Sequence, residues 1–121
     1  MIVALCSTGQ DLDAELDSRF GRCSNFVFFD TEKRSFVSET NTAKKVAGGA
    51  GAQAVQQLVN HGAGVLIAPE VGPQAMDALL AMNIPVFRQG EQITGINVID
   101  AWENHRLEEQ HKASVAGMHR A

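Results

Sequence analysis

Residues 49–87 read GAGAQAVQQLVNHGAGVLIAPEVGPQAMDALLAMNIPVF, and the alternation inside them decides the fold. Ala54, Val55, Leu58 and Val59 fall on one face of a helix over 52–61, since apolar residues three and four apart line one side of a helical turn. Gly62 is placed to close that helix in the left-handed conformation that a Cβ resists. Residues 65–68 are continuously apolar, the pattern of a strand covered on both faces. Gly72-Pro73 then opens a second helix, with proline at the first position, where its missing N–H costs nothing. Ala75, Met76, Leu79 and Leu80 form its buried stripe, Asn83 serves as its cap, and 84–87 is the next strand. Helix and strand alternating at this spacing require parallel crossovers.

Working outward, the N-terminal part follows a different rule. Residues 2–6 are a short apolar strand, and 25–30, with Phe26, Val27, Phe28 and Phe29, are a second. The turn 31–34 leads straight into a third strand over 35–39, so these two form an antiparallel hairpin. Between the first and second strands, 11–22 are polar and acidic without a sustained period and read as a long loop. A third helix over 97–104 buries Val98, Ile99 and Trp102. The order β-β-β-α-β-α-β-α gives an α/β domain: a mixed five-stranded sheet with helices on its faces. Residues 108–121 carry little apolar period and read as a flexible C-terminal tail.

The chain has 121 residues, 45% of them apolar and 20% charged, which suits one compact domain. Its net charge of −4 argues against a nucleic-acid binder, which needs a positive surface to displace counterions. No apolar run reaches the roughly 20 residues that span a bilayer. The opening MIVALC lacks a basic leader, so the expected address is the cytoplasm, and the two cysteines are expected as thiols.

Three features carry chemistry. Gly49-Ala50-Gly51-Ala52-Gln53-Ala54 fits the loose dinucleotide pattern G-x-G-x-x-G/A, but no strand immediately precedes it and no Lys-Ser/Thr follows. Amides at such a helix start suit any anion, an oxyanion or a sulfide-rich cluster included; the plain alternative is a tight helix start that binds nothing. Arg19-Phe20-Gly21-Arg22-Cys23 sets two guanidiniums around a Phe-Gly pair beside a thiol. Cations favour thiolate, the form that binds metals; the alternative is that the arginines pair with Asp11, Asp13, Glu15 or Asp17. Cys6 ends the first strand and Cys23 precedes the second, so both thiols reach one end of the sheet. There they are either soft ligands for a thiophilic metal or cluster, or small buried hydrophobes. His61 suits a helix C-terminus, and His105, His111 and His119 have no ligand spacing. No nucleophile or metal-hydrolase motif is present, and strand 2–6 lacks the carboxylate that a ribonuclease H-type nuclease needs. A binder is expected, not an enzyme.

The first strand ending in Ser7, Arg19-Phe20-Gly21-Arg22 with Phe26 and Asp30, Gly48-Gly49-Ala50-Gly51 with Gln53, Gly72-Pro73 with Ala75, and Ile84-Pro85-Val86 occur in order. Together they resemble the dinitrogenase iron–molybdenum cofactor biosynthesis family over residues 1–107. The resemblance implies a three-layer α/β domain with a ribonuclease H-like motif. It implies a small accessory protein of nitrogen fixation that carries the iron–molybdenum cofactor, its precursors or another molybdenum or iron sulfide cluster. The family also includes a small protein that holds a molybdenum–copper sulfide cluster without covalent attachment. Cofactor contact carries over to Arg19, Phe20, Gly21, Arg22, Gly48, Gly49, Ala50 and Gly51. Nitrogenase-linked members often have His before Phe-Gly; Arg19 stands there instead, which favours an anionic thiometallate held by charge, with Cys23, and Cys6 beside it, as metal ligands. Expected partners are cofactor-assembly or acceptor proteins, with no nucleic acid and no membrane. The competing reading is a metal-free regulatory or protein-interaction domain of the same fold.

Overall fold

The computed structural model describes residues 1–43 and 49–112. Its elements are β1 (Ile2–Ser7), β2 (Asn25–Asp30), β3 (Ser35–Thr40), α1 (Ala50–Asn60), β4 (Ala63–Ala68), α2 (Pro73–Ala81), β5 (Val86–Arg88), α3 (Gly95–Glu103) and β6 (Glu109–Gln110). They build one mixed sheet in the order β3-β2-β1-β4-β5-β6. β1 is antiparallel to β2 and parallel to β4; β2–β3 is an antiparallel hairpin, and β4–β5 is parallel. The sheet has six strands where the sequence predicts five. The sixth is the two-residue β6, antiparallel to β5, in residues whose lack of period reads as tail. Two residues are too short a stretch to leave a periodic signal, and their pairing depends on the neighbouring edge. Residues 113–121 of the predicted tail lie outside the described residues.

Side chains alternate across the central strands, as a pleat requires. Ala4, Cys6, Phe26, Phe28, Leu66 and Ala68 join Ala54, Val55 and Leu58 of α1 and Met76 and Leu79 of α2 in one buried cluster. Val3, Leu5, Val27, Phe29, Val65 and Ile67 face the other way and pack on Val98 and Ile99 of α3. Three layers result, with β1 in the middle of the sheet. Gly62 takes the predicted left-handed conformation (φ 72°). Leu80, predicted in the buried stripe of α2, is 53% exposed, because Ala75, Met76 and Leu79 already cover the face that meets the sheet. Helix α3 starts two residues earlier than the period suggests, where the Thr94 hydroxyl accepts the Asn97 N–H and caps it.

Candidate functional site

Because β1, β4 and β5 run the same way, their carboxyl ends, at Ser7, Ala68 and Arg88, share one rim of the sheet. Ligands of α/β sheets bind at such a rim. Residues 8–24 fold back over it and are not a free loop. Short bridges tie Leu16 to Ser7 and Glu15 to Thr94, and the Asp17 N–H donates to the Cys6 carbonyl at 2.9 Å. The buried Asp17 carboxylate accepts the N–H of Arg19 at 3.1 Å and of Ser24 at 3.2 Å. Gln89, beyond β5, donates its amide to the Asp17 carbonyl at 3.0 Å. This web holds the Phe-Gly bend against the helices.

Phe20 is the anchor of the bend. Its ring is buried against Phe26, 6.0 Å between centroids, so it fills the core below the surface. Gly21 lies on the first turn of α1: a Cβ there would stand 3.2 Å from the Gly51 N and 3.4 Å from its Cα. Gly51 in turn lies on α2, where an added Cβ would come within 2.9 Å of the Ala75 Cβ. Two glycines thus let bend, α1 and α2 approach backbone to backbone. A groove of about 520 Å³ opens where they meet, lined by Phe20, Gly21, Arg22, Ala50, Gly51 and, from the second helix start, Gly72, Pro73 and Gln74, with Glu70 at its edge. Neither helix start has a side-chain cap; α1 begins at Gly49 with φ 73°, and α2 at Gly72-Pro73. Each such end carries a partial positive charge. The lining also carries one basic residue, Arg22, and one acidic residue, Glu70.

The thiols lie beneath this groove. Cys6 and Cys23 are both fully buried and belong to one apolar cluster. Burial first, and after it the neighbouring Cys23 and the negative charge of Asp17, push the Cys6 thiol up, so it keeps its proton. The Asn41 amide donates to the carbonyls of Gly21 and Cys23, both at 3.0 Å, and to the Cys23 Sγ at 3.7 Å. Asn41 therefore pins the bend from below.

Of the residues predicted to touch cargo, Phe20, Gly21, Arg22, Ala50 and Gly51 line the groove, and Gly49 heads the helix beside it. Arg19 does not line it: its Nε sits 3.5 Å from Asp17 Oδ1, one of the carboxylates named as a pairing partner. Gly48 lies outside the described residues. Cys6 and Cys23 do reach the same end of the sheet, but beneath the groove and not on its wall. Among the described residues no three His, Cys, Asp or Glu side chains gather to hold a metal ion. His61 bonds Glu39 (Nε2–Oε2 3.0 Å) and stacks on Phe28 at 4.0 Å, at the far end of α1 from the groove. His105 and His111 are exposed, and His119 lies outside the described residues. The sequence reading missed the second wall, Glu70 and Gly72–Ala75, although Gly72-Pro73 after an internal strand is itself the mark of a helix start at the sheet rim. It also missed Asp17 as the organiser of the bend, which one acidic residue among several does not announce.

The ordered motifs now have their geometry, and the sequence model of the dinitrogenase iron-molybdenum cofactor family matches residues 1–105. This chain belongs to that family. Among solved structures, the apo form of the orange protein from Desulfovibrio gigas is similar at TM-score 0.90 and 30% identity, covering 94% of this chain and 96% of that one. A NifB-like protein from Thermotoga is similar at TM-score 0.82 and 37% identity, covering 94% and 97%. Among curated proteins none matches. The groove tests the family's theme chemically. Amide donors, a guanidinium and a glycine-lined wall fit an anionic cluster held by charge and hydrogen bonds. Among the described residues no set of three or more His, Cys, Asp or Glu ligands forms there. No helix among the described residues is long and apolar enough to cross a membrane.

Proposed function

We propose that the protein is a carrier or assembly accessory, not a catalyst, whose cargo is an anionic metal–sulfur cluster: the iron–molybdenum cofactor, a precursor, or a thiomolybdate-type cluster. The observation that supports this most is the convergence of the Phe20-Gly21-Arg22 bend with two helix starts that lack side-chain caps, in a member of a cofactor family. In this reading the first-turn amides of α1 and α2 donate hydrogen bonds to sulfide or oxo atoms, as amides do to phosphate at helix starts. Arg22 neutralises cargo charge, with Arg19 contributing at longer range. Phe20 seals the floor against water, and Glu70 limits how much negative charge the groove accepts, which keeps release within reach. The expected partners are cofactor-assembly or acceptor proteins of the cytoplasm. The ribonuclease H-like label belongs to the same reading and is supported by the central β1 between an antiparallel hairpin and two parallel strands.

A second reading, ligation by Cys23 with Cys6, is favoured by the burial of both thiols in one cluster with Phe20, Ala50 and Ala75, which line the groove. It requires the bend to lift. The test is to offer tetrathiomolybdate or Fe–S clusters without oxygen and follow visible absorbance and bound metal after gel filtration. Retention is expected, with Arg22→Ala weakening it by about tenfold or more, the worth of a charge-assisted hydrogen bond. Cys23→Ser and Cys6→Ser are expected to retain cargo as the wild type does; loss in Cys23→Ser would select thiol ligation. A colourless, metal-free protein under these conditions would select the interaction-domain alternative.

A further inference from the structure

β3 forms one edge of the sheet, and among the described residues no strand pairs with its outer side. It keeps an unbroken register with β2 over its whole length, contains no proline or lysine, and has a single charged side chain, Glu39. Bulges, prolines and outward charges are what protect an edge from a second chain. Glu39 does not serve in that way, because His61, at 3.0 Å, and Gln57 draw its carboxylate over α1. Phe36 and Val37, meanwhile, are 40% and 57% exposed.

Two bonds tell which backbone groups of β3 face outward. The Asn41 N–H donates to the Ser24 carbonyl at 3.1 Å, continuing the β2–β3 register, and inward and outward groups alternate along an antiparallel strand. Val37 and Glu39 therefore turn their backbone groups to β2, while Phe36, Ser38 and Thr40 turn theirs outward. The Thr40 carbonyl agrees, since it accepts the Gln57 side-chain amide at 2.8 Å from α1. Gln57 also accepts the Thr42 N–H at 3.2 Å. It thus closes the edge from residue 40 onward and leaves Phe36 and Ser38 open.

We infer that this edge is a docking surface for a second copy of the chain, β3 against β3, antiparallel about a two-fold axis at Val37. The open groups select that register: Phe36 of each copy exchanges both backbone hydrogen bonds with Ser38 of the other. Val37 then faces Val37 of the copy as a non-hydrogen-bonded pair, where side chains come closest. Glu39 faces Ser35 of the copy, and Lys33 and Arg34 of the copy come alongside it, a charge complementarity that the two-fold repeats. A trough of about 700 Å³ beside Ser38, Glu39 and Thr40 leaves room for that turn. A register centred on Ser38 needs the Thr40 carbonyl that Gln57 occupies, and one centred on Glu39 sets two carboxylates against each other. None of the residues that line the cargo groove lies on β3, so the pair leaves both grooves open.

The experiment is sedimentation equilibrium of the purified protein from about 10 µM to 1 mM, the range of weak pairs with small interfaces, with amide exchange followed at both ends of that range. The expected result is a reversible monomer–dimer equilibrium in which the Phe36 and Ser38 amides exchange more slowly at high concentration, while Val37, already bonded to β2, does not change. Val37→Lys sets two ammonium groups opposite each other at an exposed position that the monomer tolerates, and should weaken the pair by about tenfold or more. A chain that stays monomeric throughout would overturn the inference. So would a dimer that Val37→Lys leaves intact, or one that slows exchange elsewhere and not at Phe36 and Ser38.

Discussion

Gly51→Ala tests the packing that brings the two helix starts together. Gly51 is the second residue of α1, so alanine there gains up to about 1 kcal/mol of helix propensity. Against that, the new methyl would stand 2.9 Å from the Ala75 Cβ, and the next contact is the Ala75 Cα at 3.6 Å. Carbon atoms prefer about 3.5–4.0 Å, so α1 and α2 must part by more than about half an ångström where the groove forms. Overpacking of that kind costs about 1–3 kcal/mol, leaving a net loss of about 1 kcal/mol and a Tm lower by about 4 °C. Ala75→Gly alone loses a buried methyl and helix propensity, about 1.5–2 kcal/mol together. The double variant moves the methyl from one helix to the other and removes the clash, so it should lie within about 0.5 kcal/mol of wild type. Urea denaturation of the four proteins reads a coupling of about 2.5–3 kcal/mol. If Gly51→Ala is stabilising and the two changes simply add, the helices do not meet through this pair.

Other consequences concern the supports of the site. Asn41→Ala removes one amide that holds Gly21, Cys23 and, through its carbonyl, the Ala43 N–H at 2.9 Å. At a fully buried position this should cost about 3 kcal/mol in urea denaturation and speed amide exchange across 20–24. Glu39 is held below its ordinary pKa of 4.5, first by the hydrogen bond to His61 and, against some desolvation, by Gln57. Its contribution to stability is therefore present above pH 4.5 and lost as pH falls through the lowered value. Urea midpoints of His61→Ala measured from neutral to acid pH should show a shallower loss in that range than wild type; parallel curves would remove His61 as the cause.

The elements that the sequence reveals are those in which local pattern and burial agree. The apolar runs of β1, β2 and β4 are buried on both faces, and the stripe Ala54, Val55, Leu58 and the Gly72-Pro73 helix start need no distant partner to be recognised. The meeting of the Phe-Gly bend with the glycine-rich helix start was also legible, because both lie at strand ends of one sheet. What was hidden depends on tertiary pairing. The acidic segment 11–22 has no period because its order comes from bridges to Ser7 and Thr94 and from the buried Asp17 carboxylate. β6 exists only because β5 offers an edge. Arg19 and Arg22 look alike in sequence, yet Arg19 pairs with Asp17 away from the groove, whereas Arg22 is among the residues that line it. The thiols' burial is set by the turn at Phe20–Cys23 and by Asn41, neither of which spacing discloses.

The claim on which the account rests is that one groove, between the bend and the two helix starts, holds the anionic cargo. Amide chemical-shift mapping during an oxygen-free titration with tetrathiomolybdate tests it most directly. Shifts concentrated at residues 20–23, 49–52 and 72–76, and diminished in Arg22→Ala, are the expected result. Saturable binding whose shifts fall on the opposite end of the sheet, around Trp102 and Leu107, or a titration that moves no amide, would contradict it.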